Sequence, residues 1–128
     1  MKDERRRATI ERYYGAFRTR DIDAARAALT EDFEFVSAFG EFRGREPMLE
    51  AIWPSVGAAW AAGIRIFEHG DECVVLYHHE TAAEAERPPM SMAEHLTFAG
   101  DRISKIEVFA GRPLPARGPM ENEVQAGE

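Results

Sequence analysis

Ser91-Met92-Ala93-Glu94-His95-Leu96-Thr97-Phe98-Ala99-Gly100-Asp101-Arg102-Ile103-Ser104-Lys105-Ile106-Glu107-Val108-Phe109 reads as two strands about a tight Gly100-Asp101 turn. Met92, Glu94, Leu96 and Phe98 share a two-residue period, so their side chains point to one face of the sheet. If that face is the covered one, Glu94 is a carboxylate in apolar surroundings. A charge placed there is costly unless it is paired, hydrogen-bonded or protonated, which makes Glu94 a candidate functional residue.

Upstream of this hairpin the pattern is also that of strands. Ile64 to His69 leads into a Gly70-Asp71 turn, and Glu72 to about Ala82 is a long strand rich in Val and Tyr. A polar loop, 83–89, ends in two prolines before the strand Met90–Phe98. The N-terminal half is helical. From about Asp3 to Arg18, Ile10, Tyr13, Tyr14 and Phe17 recur at three-to-four spacing and form an apolar stripe. A short second helix runs from about Asp21, placed to cap it, to Leu29, with Ile22, Ala25 and Leu29 inward.

Thr30-Glu31-Asp32 breaks that pattern, Phe33–Val36 is a short strand, and the Gly-bounded stretch 38–44 has room for another. A third helix begins near Arg45 with Pro47 in its first turn. Leu49, Ile52, Trp53, Val56 and Trp60 follow its period, Pro54 is expected to kink or divide it, and Gly57 and Gly63 are candidate stops. Three helices followed by long antiparallel strands predict an α+β domain with the helices gathered on one face. Residues 1–112 are expected to form that domain, and 113–128, with three prolines and two glycines, a flexible tail.

Bulk properties exclude several classes. A chain of 128 residues, 45% hydrophobic and 30% charged, is one ordinary globular domain. Its net charge of -7 argues against nucleic acid or an anionic membrane as partner, and Arg5-Arg6-Arg7 sits among Asp3, Glu4 and Glu11 as a solvated helix face. Cys73 is the single cysteine, so an intrachain disulfide and a thiolate zinc site are excluded, and its place at the start of an apolar run predicts an inert buried thiol. No apolar run approaches twenty residues and no signal-peptide pattern opens the chain, so a cytoplasmic protein is expected.

The order of elements resembles the NTF2-like superfamily and, within it, the SnoaL-like group. The marks are Tyr13-Tyr14-Gly15-Ala16-Phe17, Asp21-Ile22-Asp23-Ala24-Ala25, Leu29-Thr30-Glu31-Asp32-Phe33-Glu34-Phe35, and Gly100-Asp101-Arg102-Ile103 followed by Ile106-Glu107-Val108-Phe109. Ile52-Trp53-Pro54 and Glu94 fit the same group. The resemblance spans about residues 4 to 112 and implies a cone: a strongly curved, mostly antiparallel sheet wrapped around a pocket and closed by the three N-terminal helices. Members with that fold include ketosteroid isomerases, limonene epoxide hydrolases, scytalone dehydratases, polyketide cyclases and proteins that only bind or dimerise. Function therefore has to be argued from the site.

On the strand from Glu72, alternation separates Cys73, Val75, Tyr77, His79 and Thr81 from Val74, Leu76, His78 and Glu80. The family pattern favours the first set as inward. Glu94, His79 and Tyr77 are then the candidate catalytic residues, with Tyr14, Phe17, Phe35, Trp53, Met92 and Leu96 as candidate substrate contacts. Desolvation would raise the Glu94 pKa, fitting it to abstract a proton beside a carbonyl or to activate water. Tyr77 or Tyr14 would donate to the developing oxyanion, and His79 would orient Glu94 or shuttle the proton. The alternative is a Glu satisfied by a Tyr hydroxyl or a Trp ring nitrogen, with a structural or ligand-binding role only.

The isomerases pair an aspartate base with a second, protonated acid, and no second inward carboxylate is evident. The epoxide hydrolases use an Asp-Arg-Asp set, whereas Arg65, Arg87 and Arg102 read as exposed or terminal. His78 and His79 leave opposite faces of one strand and cannot share an ion; His78, Glu80 and His95 have ligand-like chemistry on the outer face, where a polar strip is the simpler explanation. Met48, Met90 and Met92 read as adaptable core or pocket lining, and the glycines have no phosphate-loop spacing. The expectation is a pocket for a small, largely apolar molecule, without metal or cofactor, in a homodimer formed through the outer sheet face. Either the pocket runs a cofactor-independent isomerase, cyclase, dehydratase or hydrolase reaction with Glu94 as base, or the domain is a non-catalytic binding or dimerisation module.

Overall fold

Asp3 starts the first helix by accepting hydrogen bonds from the backbone N–H groups of Arg5 and Arg6, satisfying donors a helix start leaves open. This helix, α1 (Glu4–Thr19), ends where Arg20 turns left-handed at φ 60°. It buries Thr9, Ile10, Tyr13, Tyr14 and Ala16. In this computed structural model, residues 1–38, 40–57, 59–81 and 90–109 are described. The expected tail, 113–128, and the 83–89 loop lie outside them.

After α1 come α2 (Ile22–Ala28), capped by Asp21, then β1 (Leu29–Ser37), β2 (Gly40–Arg43) and α3 (Arg45–Ile52). A 3-10 turn, Trp53–Ser55, leads to β3 (Ala59–His69), β4 (Glu72–Thr81), β5 (Ser91–Ala99) and β6 (Arg102–Phe109). The strands form one curved, unclosed sheet in the order β2-β1-β6-β5-β4-β3. Every neighbouring pair is antiparallel except β1 and β6, which run parallel. The α+β, mostly antiparallel expectation holds.

Two boundaries differ from the sequence expectation. The third helix does not carry its period to Trp60: it ends at Ile52, and Trp60 belongs to β3, opposite Glu80. Pro54 withholds a backbone donor, Val56 is extended, and Gly57 turns at φ 100°, so the apparent helical spacing across this stretch is coincidental. Gly63, expected as a stop, instead sits within β3 at φ +65°, where the register shifts between Ala62 and Arg65. Likewise Leu29 opens β1 rather than closing α2, and Thr30-Glu31-Asp32 are strand residues, with a register shift against β6 between Leu29 and Glu34.

The core lies between the helices and the inner sheet face. Ile10, Leu29, Phe33, Met48, Leu49, Val75, Leu96, Ile103 and Ile106 are fully buried there. Arg6 ties α1 to the far ends of two hairpins: its guanidinium donates to the Gly100 and Gly70 carbonyls and to Asp71, and lies 5.1 Å from the Phe98 ring centre. That clamp fixes the position of Tyr13 and Tyr14, two turns along α1, above the sheet.

Candidate functional site

Alternation along β5 turns Glu94, Leu96 and Phe98 inward, and alternation along β4 turns Cys73, Val75 and Tyr77 inward. Glu94 stands opposite Val75, with Tyr77 one inward step further along β4. Leu96 and Phe98 go into the core; Glu94, at the same depth, is 6% exposed. It is the one buried carboxylate among the described residues, which hold only Thr9 and Glu94 as buried polar or charged side chains.

Two phenols meet this carboxylate. Tyr14, brought down by α1, donates to Glu94 Oε1 over 2.8 Å, and Tyr77 donates to Glu94 Oε2 through a short bond. The Tyr14 and Tyr77 rings lie against each other, with centres 5.3 Å apart. Burial pushes the Glu94 pKa up, and the Tyr77 and Tyr14 hydroxyls, which favour the charged form, only partly oppose it. The same burial, together with the nearby carboxylate, raises the pKa of Tyr13, Tyr14 and Tyr77, so all three remain phenols at neutral pH. The result is a carboxylate held in place while its proton affinity is raised, the condition for a general base or acid.

Beside it lies a cavity of about 110 Å³ lined by Tyr13, Tyr14, Phe17, Phe35, Ile52, Ala59, Trp60, Ala61, Tyr77, His79 and Glu94. Tyr14, Phe17, Phe35, Tyr77, His79 and Glu94 were all sequence candidates, and the fold brings them to this one wall. His79 is placed by a backbone bond to the Met90 carbonyl, and its ring centre lies 5.5 Å from that of Tyr77. Trp53, Met92 and Leu96 do not line the cavity. Trp53 packs edge-on behind Phe17, Met92 is half-buried opposite Tyr77, and Leu96 is fully buried between Cys73 and Ile106. They support the wall instead of forming it.

Sequence reasoning did not count Tyr13, Ile52, Ala59, Trp60 and Ala61 as site residues. Tyr13 was legible as part of the α1 apolar stripe, and Ile52 as part of α3. Ala59, Trp60 and Ala61 were hidden by the misplaced start of β3. Trp60 also carries the Arg18 guanidinium, 5.1 Å from its ring centre.

The outer sheet face behaves differently. His78 pairs with Glu80 and His95 pairs with Glu72, each at 2.9 Å. His95 sits opposite Val74 and His78 opposite Ser91, so the two pairs occupy separate places on β4 and do not converge. Among the described residues no group of three His, Cys, Asp or Glu side chains is arranged to hold a metal ion. Cys73 is buried, and burial pushes its thiol up to about 11, so it is not a nucleophile at neutral pH. Arg65 and Arg102 are exposed, and Arg87 lies outside the described residues. No described helix is long and apolar enough to cross a membrane.

Comparison with known proteins agrees with this architecture. A family model described as a SnoaL-like domain matches residues 10–106. An NTF2-like protein of unknown function from Burkholderia pseudomallei K96243 superimposes with a TM-score of 0.74 at 20% identity, covering 84% of this chain and 92% of its own. A Kribbella flavida DSM 17836 protein, provisionally assigned as a ketosteroid isomerase, gives 0.73 at 16% identity, with 93% and 87% covered. TerC, crystallised with polyporic acid, gives 0.72 at 23% identity, with 84% and 92% covered. At these identities the likeness is one of fold. No curated protein matches the sequence.

Proposed function

Because the chain belongs to the SnoaL-like domain family, whose fold hosts several chemistries, we propose from its own site that the cavity binds a small, largely apolar molecule on which Glu94 acts as general base. The observation that carries this reading is the buried carboxylate in the cavity wall, hydrogen-bonded by Tyr14 and Tyr77 and raised in pKa by burial. The first step is removal of a proton from carbon beside a carbonyl, or from water. Return of that proton elsewhere gives isomerisation, expulsion of a β-hydroxyl gives dehydration, and attack of the enolate within the molecule gives cyclisation. Activated water gives hydrolysis. Moving a proton needs no cofactor, and His79, on the same wall, is the group able to relay it.

Neither the paired-acid arrangement of the isomerases nor an Asp-Arg-Asp set is present among the described residues, so the reaction is left at this class. In this reading the helices close the open side of the sheet over the cavity. The outer face, where Phe67 is 51% exposed beside Arg65, meets a second copy.

A second reading rests on the same hydrogen bonds. Two phenols satisfy Glu94 without any ligand, which is also what a structural buried carboxylate needs, so the domain would bind without reacting. Glu94→Gln separates the two. If Glu94 is the base, the variant keeps the fold and the bound ligand but loses proton transfer. If the variant loses only thermal stability and affinity, and the wild type moves no proton, the binding module is the better description.

A further inference from the structure

Two arginines beside the cavity carry charge that the fold does not use. Arg18, in the last turn of α1, is exposed and holds its guanidinium 5.1 Å from the ring centre of Trp60, a cavity-lining residue. Arg20, just past the helix, lays its side chain along Gly57, where an added Cβ would stand 3.2 Å from both Cδ and Nη1. Gly57 and Trp60 are three residues apart, at most about 10 Å of extended chain. Ala59, between them, is itself in the cavity wall. Among the described residues neither guanidinium forms an ion pair, whereas those of Arg5, Arg6, Arg7, Arg26 and Arg45 all do.

The helix dipole favours a basic residue at the C-terminal end of a helix, which accounts for positive charge on this turn. It does not account for the backbone of Arg20. Among the described residues Arg20 alone is a non-glycine at positive φ, 60°, where glycine or asparagine would stand with less strain. Strain of this kind clusters where a side chain is held for a ligand. In a chain of net charge -7, an anion meets repulsion over most of the surface, and the rim beside Trp60 reverses that field locally.

The cavity has room of about 110 Å³. An engineered apolar cavity of about 150 Å³ holds one benzene, so this room is on the scale of a single ring. An anionic group would not follow the ring inside, because Glu94 already places a carboxyl group there and burying a further charge is costly. It would stay at the rim.

We infer that Arg18 and Arg20 select a ligand whose ring-sized, apolar body enters the cavity and whose carboxylate remains at the rim, held by the two guanidiniums. The inference rests on the proposed reading of the cavity as a ligand site and narrows its ligand to a compact carboxylic acid. Guanidinium suits the task, since its planar fork matches a carboxylate. Arg18 rests on Trp60 and makes no side-chain hydrogen bond among the described residues, so its donors are free for that carboxylate.

The probes are 4-oxocyclohexanecarboxylate and 4-oxocyclohexanecarboxamide, which share a shape but differ in charge. Binding to wild type, Arg18→Gln, Arg20→Asn and the double variant is measured by NMR titration at neutral pH, at low and at high salt. Wild type is expected to prefer the carboxylate roughly three- to tenfold at low salt, as two exposed ion pairs allow, and by less at high salt. Each single variant should lose part of that preference, and the double variant should lose or reverse it, with the carboxamide bound equally by all four proteins. Two results overturn the assignment but leave the cavity reading intact. One is a wild type that binds the two probes alike; the other is a set of variants that weaken both probes equally, which would make the arginines packing residues. If neither probe binds wild type, the cavity reading falls and the assignment with it.

Discussion

Glu94→Gln should remove a pH dependence of stability that wild type carries. Glu94 is 6% exposed, and burial raises its folded pKa despite the opposing Tyr77 and Tyr14 hydrogen bonds. In the unfolded chain it returns to about 4.3. Between those two values the folded protein holds a proton that the unfolded chain has released. The corresponding stability is fully present below the unfolded value and is lost as pH rises through the folded one. The slope in that window approaches about -1.4 kcal/mol per pH unit for one proton. Gln cannot titrate, so wild-type stability minus variant stability should fall across the window and flatten above the folded pKa.

Gln offers one acceptor oxygen where the carboxylate offers two, so one phenol must change its bond. That adds an offset without a pH slope. The assay is urea unfolding of both proteins from below pH 4 to pH 9, with the two curves subtracted so that contributions common to both cancel. A difference that is flat, or that rises with pH, would refute the claim that burial outweighs hydrogen bonding at Glu94.

Three further substitutions test the surroundings. Tyr77→Phe removes a donor to Glu94, so it should cost roughly 1.5–3 kcal/mol where Glu94 is ionised and less where it is protonated; denaturation at low and high pH should show the cost growing with pH. Arg6→Met keeps an unbranched apolar stem but loses the guanidinium over the Phe98 ring and its bonds to Gly100, Gly70 and Asp71, and should lower stability by roughly 1–2 kcal/mol in urea titration. Gly63→Ala places a Cβ 3.0 Å from His78 Cε1 at φ +65°, so calorimetry should record a loss of roughly 1–2 kcal/mol.

Much of the fold was legible because strand alternation and turn chemistry act locally. The Gly100-Asp101 hairpin and the α1 stripe needed no tertiary information; on β4 alternation only separated two sets, and the family resemblance chose the set that places Tyr77 beside Glu94. Trp60 was misread because Pro54 and Gly57 interrupt α3 while Val56 and Trp60 keep a helical spacing by coincidence. Period alone does not distinguish a continued helix from an early strand.

At the site, period gives a face but not a depth. Leu96 and Met92 share Glu94's face, yet Leu96 lies wholly in the core and Met92 packs beside it, outside the cavity lining. Tyr13 and Tyr14 are adjacent on one helix and both buried, and nothing in their spacing tells which hydroxyl reaches the carboxylate. That difference arises only when α1 is docked on β4 and β5.

The most direct test is hydrogen–deuterium exchange at the α-carbons of cyclohexanone in D₂O, followed by NMR with wild type and Glu94→Gln. General-base catalysis by a positioned side chain is worth about 10²–10⁴-fold. Wild type is expected to exchange the bound ketone's α-protons at least about a hundredfold faster than Glu94→Gln, while both proteins bind the ketone. Equal exchange rates in two proteins that both bind it would contradict the assignment of Glu94 as the base.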